Sequence, residues 1–141
     1  MCCAVWQIHS PRVLLRWLLL RAQGFRNGSS TTQRLDGAIY ASSNAALMLV
    51  QLGDDAGALR EVEAVRRRAP NSADMRAALA ALYWARGETE RAEDVWEYTC
   101  GVLLEGCARY RDEDYLQRVR RWPPAMIEKM RAFLSVTGAP A

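Results

Sequence analysis

The chain has 141 residues, is half hydrophobic, and sets 19 Lys and Arg against 16 Asp and Glu for a net charge of +3. That suits one folded domain of ordinary size. Five arginines (Arg12, Arg16, Arg21, Arg26, Arg34) precede the first acid, Asp36, which leaves the rest of the chain at −2 and argues against an obligatory nucleic-acid surface.

Residues 1–35 form a basic, acid-free leader with a Ser/Thr cluster at Ser29–Thr32. This is the composition of an organelle transit peptide; the alternatives are a helix covering the start of the domain, plain disorder or a gene-model artefact. Val13, Leu14, Trp17 and Leu18 share a helical face. The apolar run Val13–Leu20 is interrupted by Arg16 and falls well short of the roughly 20 residues that a membrane span needs.

Beyond the leader the chain repeats itself. Residues 39–72 align with 73–106 at a spacing of 34: Ala46 with Ala80, Leu49 with Tyr83, Gly53 with Gly87, Ala58 with Ala92, Val62 with Trp96. A fixed period in this range marks a helical repeat. Each position has a physical reading. Gly53 and Gly87 end a helix in the left-handed conformation. Asp54, Asp55, Glu88 and Thr89 start the next one. The paired alanines let two helices approach, the larger residues fill the space between them, and Pro70 stops the second helix so that Asn71 or Ser72 can cap a third.

These residues resemble the tetratricopeptide repeat family. Its small–large–Gly–Ala–aromatic–Pro signature stands here as Ala46/Leu49/Gly53/Ala58/Val62/Pro70 and Ala80/Tyr83/Gly87/Ala92/Trp96, with Leu104 where the second proline is expected. The resemblance covers about residues 39–105. It implies an all-α fold: a short solenoid of two helical hairpins over residues 36–105. Two hairpins are few for a repeat array, so residues 106–141 are expected to supply capping helices.

That last stretch contains "RYRDEDYLQRVRRWPP". Asp112 is placed to cap a helix carrying Tyr115, Leu116, Val119 and Trp122 on one face. Pro123 and Pro124 end it and open a last helix with the stripe Met126, Ile127, Met130, Phe133, Leu134. A repeat pair followed by this tail is similar to a family of small cyanobacterial and chloroplast tetratricopeptide proteins. The resemblance implies a chloroplast setting, including the thylakoid lumen; the mitochondrion and the cytoplasm are the alternatives.

Candidate chemistry is sparse. His9 is the one histidine, and the four cysteines (Cys2, Cys3, Cys100, Cys107) form no CxxC, so neither a metal site nor a cofactor is expected, and the spacing leaves pairing of Cys100 with Cys107 open. No nucleophile motif with a base partner occurs, and an enzyme is not expected. The expected function is a non-enzymatic adaptor or scaffold that binds a protein partner, in assembly or maintenance of an organellar complex. The family places its groove on the first helix of each pair, which implies Tyr40, Asn44, Leu47, Gln51 and Trp84 here. Arg120, Arg121 and Trp122 are candidates for an anion or protein contact, or for packing at a corner. The basic run Arg66–Arg68 leaves a helical-repeat RNA binder as an alternative, and a subunit without free activity as another.

Overall fold

The computed structural model describes residues 32–103 and 106–136, and these are all-α: no strand occurs among them. Residues 1–31, with Cys2, Cys3, His9 and nearly all of the expected leader, lie outside the described residues, as does Leu104. The elements are α1 (Thr32–Gln51), α2 (Asp55–Arg68), α3 (Ala73–Ala85), α4 (Thr89–Val102), α5 (Gly106–Arg111), a π-helical turn (Tyr115–Val119) and α6 (Pro124–Val136). The first helix thus opens at Thr32, inside the range assigned to the leader.

Local chemistry sets the helix ends. Gly53 and Gly87 both sit at φ +80°, a conformation that costs any residue with a Cβ. After Gly53, Asp54 caps α2 by accepting from the Gly57 N–H at 2.8 Å. Ser72, not Asn71, caps α3, accepting from the Met75 N–H at 3.3 Å. Glu88 makes no such side-chain bond at the start of α4; it takes Arg91 at 2.6 Å instead.

α1 packs on α2 and α3 on α4, and α2 packs on α3, so the 34-residue period becomes two adjoining helical hairpins. Ala46, Ala58, Ala80 and Ala92 are all buried, as small residues between closely packed helices are. Val62, Tyr83 and Trp96 fill the intervening space. α3 is the centre of the molecule: every residue from Asp74 to Tyr83 is buried. It touches α2, α4, α5 and α6.

A polar tie joins the hairpins on their outer side. The Tyr83 hydroxyl donates to Glu63 Oε1 at 2.6 Å and accepts from Arg91 at 2.9 Å. Burial, then the Glu63 carboxylate, pushes the Tyr83 pKa up from 10.0 to about 12. A phenol whose folded pKa is raised contributes stability that is complete below pH 10 and lost as pH rises towards 12. We therefore expect the wild type to be more stable than Tyr83→Phe at pH 9, with the gap shrinking steadily between pH 10 and 12. Paired thermal melts across that range check it.

The tail departs from its expected shape. Asp112 does cap, accepting from the Asp114 N–H at 2.9 Å. The following turn is wider than an α-turn, with the Arg120 N–H donating to the Tyr115 carbonyl at 3.0 Å, five residues back. The widened turn rotates Val119 out to 64% exposure, so it leaves the stripe in which its spacing had placed it. Leu116 and Trp122 stay buried. Arg120–Pro123 is then non-helical, and Arg121 takes φ 53°, the one positive φ outside glycine among the described residues.

α6 does more than close an end. It lies across both α3 and α1, with Met126, Ile127, Met130 and Phe133 buried. The Phe133 ring meets Trp96 edge-on at 5.7 Å between centroids. Lys129 reaches Asp55 in the first turn of α2 at 2.8 Å.

Candidate functional site

The position of α6 decides which surfaces remain for a partner. It covers much of the face formed by the first helices of the two hairpins. Among the described residues a cleft of about 660 Å³ lies between the first half of α1, the α2–α3 connection and the α5/π-turn segment.

Its floor is a buried polar network. Asp74, in the first turn of α3, is buried. The Arg120 guanidinium grips it through two bonds, Nε to Oδ1 at 2.8 Å and Nη2 to Oδ2. The Trp122 indole N–H donates to the same Oδ1 at 3.0 Å. The Tyr110 ring lies 5.9 Å from Trp122 and 5.8 Å from Tyr115. Burial, with Asp74 close by, pushes the Tyr110 hydroxyl well above its ordinary pKa, so it stays neutral. Hydrogen bonding to Asp74 outweighs burial at Arg120 and holds its guanidinium charged. Three N–H donors thus converge on the one carboxylate. The floor organises the cleft.

The walls are the adaptable part. Tyr40 is 57% exposed and lies beneath the Arg120 guanidinium, 5.6 Å from ring centroid to charge. Arg68, Asn71 and Asp36 are exposed at the rim, and Tyr115 is half-buried. Two irregular backbone features, the π-turn and the left-handed Arg121, flank this wall. Irregular or strained segments of this kind concentrate where a side chain must be aimed.

No protein-family model, curated protein or solved structure matches the chain. Its own residues therefore carry the functional reading.

Of the residues expected to line a groove, Tyr40, Asn44 and Gln51 are exposed, and of the five Tyr40 alone lines the cleft. Leu47 is corrected: it is 1% exposed and belongs to the core. Gln51 is exposed, yet its Oε1 accepts the Ala125 N–H at 3.0 Å, so it holds the start of α6. Trp84 is half-buried, packs against the core, and lines a surface hollow with Ala125, Lys129 and Ala132 of α6. These positions were read for a helix pair with an open inner face. That face is occupied by a helix of the same chain.

The second set is also revised. Arg120 and Trp122 are committed to Asp74, so neither is a free contact; Arg121 alone of the three is exposed. Of the basic run, Arg66 is half-buried and Arg67 leans towards Glu63 at 3.9 Å, which leaves Arg68 to face the cleft. Asp74 carries an interaction that the sequence hid. It reads there as a first-turn acid, and nothing local announces partners 46 and 48 residues away. Cys100 and Cys107 are joined by a disulfide between α4 and α5, Cα to Cα 4.6 Å.

Among the described residues no three His, Cys, Asp or Glu side chains gather into a metal-binding group. No described helix is long and apolar enough to cross a membrane.

Proposed function

We propose that the chain is a tetratricopeptide-type adaptor that holds a peptide segment of a protein partner in the cleft between α1, the start of α3 and α5. The observation that carries this reading is the pairing of a rigid floor with exposed walls. Asp74, Arg120, Trp122 and Tyr110 are locked together beneath Tyr40, Arg68, Asn71 and Tyr115. Tyrosine and arginine over a fixed base are the residues most used as binding anchors, because each supplies contact area with little ordering cost. The similarity of the "RYRD…RRWPP" tail to chloroplast proteins supports work on an organellar complex, and a fluorescent fusion of the full chain reads that location directly.

The test is site-directed photocrosslinking in the native organelle extract, followed by affinity measurement on the peptide so captured. A crosslinker at position 40 or 71 is expected to trap one protein that a crosslinker at Asn44 or Gln51 does not. Tyr40→Ala should then weaken the isolated peptide by about tenfold or more, and Asn44→Ala should leave it within about twofold. Equal loss from both substitutions would place the partner elsewhere.

A further inference from the structure

We propose that Cys100–Cys107 is a thiol–disulfide exchange site, taking a dithiol reductant as its co-substrate, and that its state sets whether α5 is held against the cleft.

α5 has six residues, Gly106–Arg111, fewer than a free helix needs to persist. It contributes one fully buried side chain, Tyr110, which is also the ring that backs the cleft between Trp122 and Tyr115. The bond from Cys107 to Cys100 adds a covalent side-chain link between this segment and α4 to that of the main chain. It spans a sequence separation of only 7, so it constrains α5 locally rather than the domain. Both cysteines are half-buried, and Gly101, Val102, Ala108 and Arg109 beside them are exposed, which leaves a path for an incoming thiolate. Arg109 and Arg111 follow Cys107 on the same short helix and make this segment basic.

The exchange balances. One thiolate of the reductant attacks Cys100 Sγ, the Cys100–Cys107 bond breaks, and Cys107 leaves as thiolate. The second thiol of the reductant then displaces Cys100 from the mixed disulfide. The reductant ends as a disulfide, having lost two electrons and two protons, and the two cysteines end as thiols. Without the tether, α5 and the Tyr110 ring lose their side-chain link to α4 and keep the main chain and their non-covalent contacts.

The full chain is treated with dithiothreitol or left in air, digested briefly with trypsin and mapped by mass spectrometry. Alkylation at Cys100 and Cys107 is read separately from that at Cys2 and Cys3. Reduction is expected to speed cleavage after Arg109 and Arg111 by about tenfold or more, while cleavage after Arg60 and Arg86 on the hairpins keeps its rate. A Cys100→Ser/Cys107→Ser chain should match the reduced chain with or without dithiothreitol. Unchanged rates at Arg109 and Arg111 on reduction would overturn the proposal. So would acceleration at all four arginines together, or alkylation of Cys100 and Cys107 in the untreated chain.

Discussion

A chain stopped after Pro123 does not fold. The truncation spares Arg120 and Trp122 and removes α6 with the five residues after it. With α6 go Met126, Ile127, Met130 and Phe133, none more than 6% exposed. Burial of each such side chain stabilises a fold by about 1.5–3 kcal/mol, so the four together contribute roughly 6–12 kcal/mol. The whole stability of a domain this size is about 5–15 kcal/mol. The loss also opens the surfaces of α1 and α3 on which α6 lies and strips the Trp96 ring of its edge-on partner. Circular dichroism of the truncated chain should show no cooperative thermal transition. The single substitution Phe133→Ala keeps the helix and should cost about 3–5 kcal/mol, read from urea unfolding. Lys129→Ala cuts only the partly exposed pair with Asp55 and should cost less than about 1 kcal/mol. A cooperative melt at the wild-type temperature after truncation would mean that α6 rests on a core already complete.

Asp74→Ala comes next in size. The side chains of Asp74 and Arg120 are 8% and 18% exposed, so the pair is largely out of water. Removing the carboxylate leaves a charged guanidinium and an indole N–H without their acceptor. Breaking a buried pair from one side costs about 3–5 kcal/mol, which lowers the melting temperature by about 10 °C or more. Replacing both partners differs in kind, because neither charge is then stranded. Asp74→Leu combined with Arg120→Met should be more stable than either change alone, and a double-mutant cycle in urea measures the coupling. A cost below about 1 kcal/mol for Asp74→Ala would show that the network does not latch the tail to α3.

The latch explains why two prolines and a tryptophan precede the last helix. Pro123 and Pro124 stop one segment and open the next, while the left-handed Arg121 swings Trp122 inward to Asp74. The chain can then run back over α3 and α1. The "RRWPP" stretch is thus a corner held by a carboxylate, and the same carboxylate forms the base of the cleft.

Much of the local structure was legible from neighbouring residues. The signs of φ at Gly53 and Gly87, the cap at Asp54, the buried alanines at a 34-residue spacing and the apolar stripe of α6 each follow from chemistry within one or two helical turns. The cleft was not legible in the same way. Tyr40 is an exposed helix-face residue that lines the cleft, whereas Leu47 is buried, Gln51 holds the start of α6 and Trp84 is half-buried beside it. Val119 was lost to a widened turn that no spacing rule signals.

By itself, then, the sequence determined where each hairpin turns, at Gly53 and Gly87, and which stripes of its helices are apolar, because glycine, caps and periodicity act over a few residues. Only the tertiary structure decided which surface stays open, that Asp74 rather than solvent receives Arg120 and Trp122, and that Cys100 joins Cys107. Those outcomes depend on which faces meet across separations as long as the 74 residues between Gln51 and Ala125, and a local pattern that makes a face buriable does not name what buries it.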